Sequence, residues 1–302
     1  MFKWLLGSTG NKIEYLVDAN KSYPFKAETF NNMKVNAMSI NECENEFLFE
    51  VKVIAKEEST YIFEWDFTYK RLFKGMDYLG ENVKILEKLA GIKDHLILKV
   101  DNKGKIIDVL NRDELKAKWL DLKRKILNDP EILHIADNYR TQFFDEGDKE
   151  FSSNFPIEES LNKDQLYATF FFQNTTKQTS SNEDSITRIE QYSNVLIEKD
   201  KALQIPLIQS SFWSPYEKDP SLIKYILTRS VDNSRLNKGK IRDVILSWGS
   251  GQKNLTTYIN DYSSEYLIDE SSQILCEAQS RIFEKVNDNV EINQSCTITK
   301  IN

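Results

Sequence analysis

The chain has 302 residues, 40% of them hydrophobic and 29% charged, a globular composition. Its 40 basic and 47 acidic residues give a formal net charge of −7, against the basic excess that a nucleic-acid partner calls for. With 10 glycines, 2 histidines and 3 cysteines, little material is present for phosphate loops, metal ligation or thiol chemistry.

Residues 12–18 read as a short strand. Residues 47–56 alternate, with Phe47, Phe49, Val51, Val53 and Ala55 on one face. Residues 60–70 alternate again, with Tyr61, Phe63, Trp65, Phe67 and Tyr69 in one row. The two segments predict an antiparallel hairpin with Val51 beside Trp65. Keeping both rows on one face requires an odd loop or a bulge, because a one-residue slip exposes a whole row.

A helix follows through Leu79, Val83, Leu86 and Ala90, stopped by Gly91. A hairpin then turns at Asp101–Gly104. Asn111 opens a second helix, with Glu114 as a capping-box partner and Leu115, Trp119, Leu122 and Ile126 as its apolar stripe. Its basic face (Lys116, Lys118, Lys123, Arg124, Lys125) is interleaved with acids and reads as solvated. Asp129-Pro130 starts a third helix through Ile132, Ile135, Ala136, Tyr139 and Phe143. The polar stretch 145–163 reads as a boundary or a long surface loop. It would divide residues 1–150, strands plus a helical insertion, from a β-rich half at 151–302, or lie within one continuous domain.

Strands are expected at 165–173, 186–198 and 203–209. The proline-bounded segment 210–220 reads as a loop presenting Phe212, Trp213 and Tyr216. Residues 221–231 fit either helix or strand. Residues 264–269, 273–284 and 290–300 form a meander whose register places Ser280, not Cys276, opposite Cys296. Cys276 then lies about 13 Å out of register, beyond disulfide reach, so the cysteines read as free. NKGKIIDV at 102–109 and NKGKIRDV at 237–244 match at seven of eight positions. A duplicated hairpin and convergent turn chemistry both account for that echo.

The fold expected is α+β: a largely antiparallel curved sheet with a helical insertion at about 78–145 packed on one face. No P-loop, nucleophile elbow or zinc spacing occurs. Gly249-Ser250-Gly251 reads as a hairpin tip after a strand. His95 and His134 both look solvent-facing, with no second ligand at helical spacing. The expectations are therefore no catalytic residues, no metal and no cofactor.

A soluble, non-catalytic binding protein is the first functional reading: an adaptor, chaperone-like factor or toxin-neutralising partner engaging another protein through Phe212, Trp213 and Tyr216. The alternative is a carrier of an apolar small molecule or lipid, cupped against Tyr61, Phe63, Trp65, Phe67 and Tyr69 in a pocket of about 300 Å3 or more. A carboxylate-based hydrolase comes third. No apolar run reaches the roughly 18 residues of a membrane helix. The start lacks a secretory apolar core, so a cytoplasmic location is expected, or a periplasmic or envelope one if a signal has been removed.

Overall fold

A computed structural model describes residues 17–75, 82–128, 137–152, 154–171, 185–198, 201–247 and 257–301. Among these described residues eleven strands form one antiparallel sheet: β1 (Tyr23–Val35), β2 (Met38–Glu57), β3 (Thr60–Lys74), β4 (His95–Asp101), β5 (Ile106–Val109), β6 (Ser185–Glu198), β7 (Lys201–Tyr216), β8 (Asp219–Val231), β9 (Tyr258–Asp269), β10 (Leu275–Val286) and β11 (Val290–Lys300). Their order is β5-β4-β3-β2-β1-β11-β10-β9-β8-β7-β6. The chain enters at the centre, meanders out to β5, crosses through helices to β6 at the far edge, and returns until β11 pairs with β1. The sheet continues across the polar stretch 145–163 and does not close.

The helices are α1 (Asn82–Ala90), α2 (Arg112–Leu127), α3 (Asp137–Glu150), α4 (Ile157–Lys163), α5 (Gln165–Phe170) and α6 (Lys238–Ser247), with a 3-10 turn at Gly91–Asp94 after α1. The fold is thus α+β and dominated by its sheet.

The β2–β3 hairpin has the expected register, with Val51 paired to Trp65 and Val53 to Phe63. Its turn is only Glu58-Ser59, and a bulge between Val53 and Ala55 absorbs the odd residue. A second irregularity corrects the aromatic row. Phe49 pairs with Phe67 but Leu48 pairs with Tyr69, leaving Thr68 as the extra residue. Tyr61, Phe63 and Trp65 are therefore buried on the inner face and Phe67 packs beside them, while Tyr69 is turned outward and 45% exposed.

Three expected elements differ. Residues 165–170 form α5, not a strand. The Asp164 carboxylate caps it by accepting the Leu166 backbone N–H at 2.8 Å, and Leu166, Tyr167 and Phe170 are buried. A short apolar run buried on several sides has no period to separate helix from strand. Within the polar stretch, α3 continues to Glu150 and α4 occupies 157–163. Residues 210–220 are not a loop: β7 runs to Tyr216, a two-residue turn at Glu217-Lys218 follows, and β8 begins at Asp219. Residues 221–231 are strand.

The NKGKI echo resolves into two conformations. At 101–105 the Asp101 carboxylate accepts the backbone N–H groups of Lys103 and Lys105, and Gly104 sits at φ +76°. That is a left-handed turn position suited to glycine. At 237–244 the Asn237 side chain accepts the Lys240 N–H at 3.0 Å and α6 begins. The same residues thus make a hairpin in one place and a helix start in the other, so the shared hairpin is ruled out. A strand before Gly249 is likewise corrected, since 238–247 is helical. Residues 12–16, Leu79, 129–136 with His134, and Gly249–Gly251 lie outside the described residues.

Ser280 pairs with Cys296 as the meander's register requires. The three cysteines are free; Cys43 and Cys296 are buried and Cys276 half-buried.

Candidate functional site

Inner-face residues of β1–β5 build an apolar floor: Phe25, Phe49, Val51, Val53, Phe63, Trp65, Leu96, Leu98 and Val100 are each at most 1% exposed. Alternation along each strand puts them on one side. The roof comes from α2 through Leu115, Trp119 and Ile126, from α3 through Phe144, from α4 through Ile157 and Leu161, and from α5.

The α5 segment lies at the centre of this roof. Phe170 meets Phe25 edge-on with centroids 5.1 Å apart and Trp65 at 4.9 Å. Tyr167 lies 4.9 Å from Trp65, and Phe171 lies 5.0 Å from Phe63. Phe49 stacks on Trp65 at 4.3 Å. The cup expected against the aromatic row is therefore filled by the chain's own rings. Two grooves lie elsewhere among the described residues. One of about 610 Å3 runs between β6, β7 and α6 past Tyr192, Leu203 and Leu236. One of about 360 Å3 is bounded by Glu44, Arg71 and Lys74.

Two buried donors on inner-face residues have no hydrogen-bond partner among the described residues, the Trp65 indole N–H and the Tyr23 hydroxyl. They share one cross-strand row, because Tyr23 and Trp65 both pair with Val51. An orphaned buried polar group costs about 1–3 kcal/mol. At the rim, the Lys70 ammonium sits 4.0 Å above the Phe67 ring and 2.6 Å from Asp94. Burial pushes its pKa down, opposed by Asp94.

Beyond β11 the same face turns polar. Arg229, 8% exposed, donates to Gln209 at 2.8 Å and Gln191 at 2.9 Å, with its guanidinium 4.9 Å from the Tyr262 centroid. Burial lowers its pKa. Glu284 is fully buried and accepts from Ser193 Oγ, the Asn194 N–H at 2.7 Å and Tyr258 OH at 2.8 Å. Burial, aided by the Glu284 charge, pushes the Tyr258 phenol far up. The Ser193 and Asn194 bonds bring β6 across the inner face onto β10, which curls this half of the sheet. Past the polar band, α6 covers a second apolar cluster with Ile241, Val244 and Ile245.

The binding residues expected on a loop are distributed along β7. Trp213 packs against the main core with its ring 4.2 Å from Tyr225, and Phe212 and Tyr216 are half-buried. Strand pairing with β8 holds all three, so no aromatic loop is presented. Sequence periodicity missed the rings of α5 and the polar band of Arg229 and Glu284. The one available signal was the buried-parity polar residues in β8–β10. It also missed that His95 Nδ1 lies 2.6 Å from Asp66 Oδ1, across the β3–β4 pair. Among the described residues no helix is long and apolar enough to cross a membrane.

No family model matches the sequence, and no curated protein matches it. Among solved structures, a chain described as "lipid-protein interactions in lipovitellin" aligns with 96% of this chain at 9% identity and a TM-score of 0.39. The alignment covers 26% of that neighbour, so this chain spans about a quarter of its length. Likeness at that level carries no functional argument.

Proposed function

We propose that this chain is a non-catalytic carrier that takes the acyl part of an apolar amphiphile onto the inner face of its open sheet, displacing α5. The observation that carries the reading is the aromatic floor around Trp65, covered at its centre by the rings of a six-residue helix. Helices this short have little stability of their own and are held by packing. The orphaned Trp65 N–H and Tyr23 O–H support the same reading, since both can donate to an ester or carboxyl oxygen of a guest.

Organic extraction of natively purified protein, followed by mass spectrometry, should recover a bound amphiphile in near-stoichiometric amount. Titration with a fluorescent long-chain fatty acid should saturate at one equivalent, and Trp65→Phe should remove most of the tryptophan quenching. An empty extract, together with affinity weaker than about 1 mM (−4.1 kcal/mol), refutes the carrier.

A protein partner is the second reading, favoured by the edge strand β6. Among the described residues it pairs only with β7, and it exposes Ile186, Tyr192 and Ile197 at 71%, 61% and 50%. A long edge with exposed apolar residues is a template for strand addition.

A further inference from the structure

We infer that the outer face of β2–β4 holds a binding site for a divalent transition-metal ion, zinc foremost, built by His95, Asp66 and Glu64. One donor atom from each of these residues lies within 4.8 Å of the other two. The arrangement follows from register. Asp66 pairs directly with His95, and Glu64 stands two residues before Asp66, on the same face of β3. The side chains are partly accessible, at 27% for His95, 38% for Asp66 and 28% for Glu64. An ion can reach them, and solvent can fill a remaining coordination position.

The donor chemistry selects the ion. One imidazole nitrogen and two carboxylates suit zinc, manganese or ferrous iron, whereas calcium demands six to eight oxygens. Metal bonds of about 2.0–2.2 Å require donors somewhat closer together than the 4.8 Å limit, within reach of small side-chain rotations on rigid strands. The scaffold also positions the imidazole. Asn111 donates to the His95 carbonyl at 3.1 Å and accepts from the Ile97 N–H at 3.0 Å, pinning the start of β4. A further acid, Glu50, lies beyond Asp66 in the same cross-strand row. The competitor is Lys52, whose ammonium sits 2.9 Å from Glu64. A metal ion must displace it.

The test is titration of the untagged full-length chain with Zn2+ by calorimetry and with Co2+ by absorption. The expected result is one tight equivalent whose cobalt spectrum shows nitrogen and oxygen ligation with no thiolate charge-transfer band, which excludes the three cysteines as the source. His95→Ala should weaken binding at least tenfold, with Asp66→Asn and Glu64→Gln as independent variants should His95→Ala fail to fold. Lys52→Ala should tighten binding several-fold by freeing Glu64, an effect that a merely structural role for these groups does not produce. No saturable binding, a thiolate band at the first equivalent, or binding unchanged in the carboxylate variants overturns the assignment.

Discussion

Replacing Phe170 with alanine removes a ring that is 2% exposed and lies 5.1 Å from Phe25, 4.9 Å from Trp65 and 6.0 Å from Phe49. Truncating a buried phenylalanine costs about 3–5 kcal/mol, with the cavity left behind included. In a carrier with α5 as its cover, that cost falls on the closed state. Each 1.4 kcal/mol taken from the closed state multiplies the open fraction about tenfold, as long as that fraction stays small. The variant should therefore bind a fluorescent long-chain fatty acid at least ten times more tightly than the wild type. The probe must be long, because a one-ring void accepts a benzene-sized guest in any apolar core. Urea unfolding followed by circular dichroism gives the stability change, and probe titration gives the affinity. A stability loss below about 1 kcal/mol would show that the ring does not fill the cup. The full loss with unchanged long-chain affinity would make α5 ordinary core and remove the basis of the carrier.

The hairpin at 47–70, the α2 stripe and the β9–β11 meander were legible because one face of each is buried and the other is wet. A regular period then survives in the sequence. Register within the meander was legible as far as the Ser280–Cys296 pair. The orientation of Tyr69 was not, because the extra residue at Thr68 leaves the alternation in the sequence intact while reversing it in space. The α5 segment was illegible for another reason: LYATFF is enclosed by Trp65, Phe25 and Phe63, so no polar side marks a period. The prolines around Trp213 suggested a loop, yet β7 carries Pro206 and Pro215 within a paired strand. The His95 cluster depends on strands 29 residues apart in sequence, a pairing no local spacing announces.

Gly147→Ala should destabilise the fold by about 1–3 kcal/mol by overpacking, despite alanine's better helix propensity, because its Cβ would lie 2.3 Å from the Trp119 ring; an unchanged urea midpoint would show that Trp119 moves freely. Glu284→Ala strips the acceptor from Ser193, Asn194 and Tyr258, and should cost about 1–3 kcal/mol for each buried donor left unpaired; a loss under about 1 kcal/mol would show that the polar band is rewired by water. The alkaline limb of stability tests the burial of Cys296. Burial pushes this thiol from 9.0 up to about 12. Below about pH 9 the thiol is protonated in both states, and its contribution is fully present. Between the two values the unfolded chain releases the proton while the native chain keeps it. The unfolded state then binds fewer protons, and stability falls as pH rises. By about pH 10 the loss should be about 1.4 kcal/mol. Every other ionisable group is common to wild type and Cys296→Ala. The stability difference between those two proteins should therefore shrink by that amount between about pH 8 and pH 10. Parallel curves would place the thiol in contact with water and contradict the burial of Cys296, which is 1% exposed.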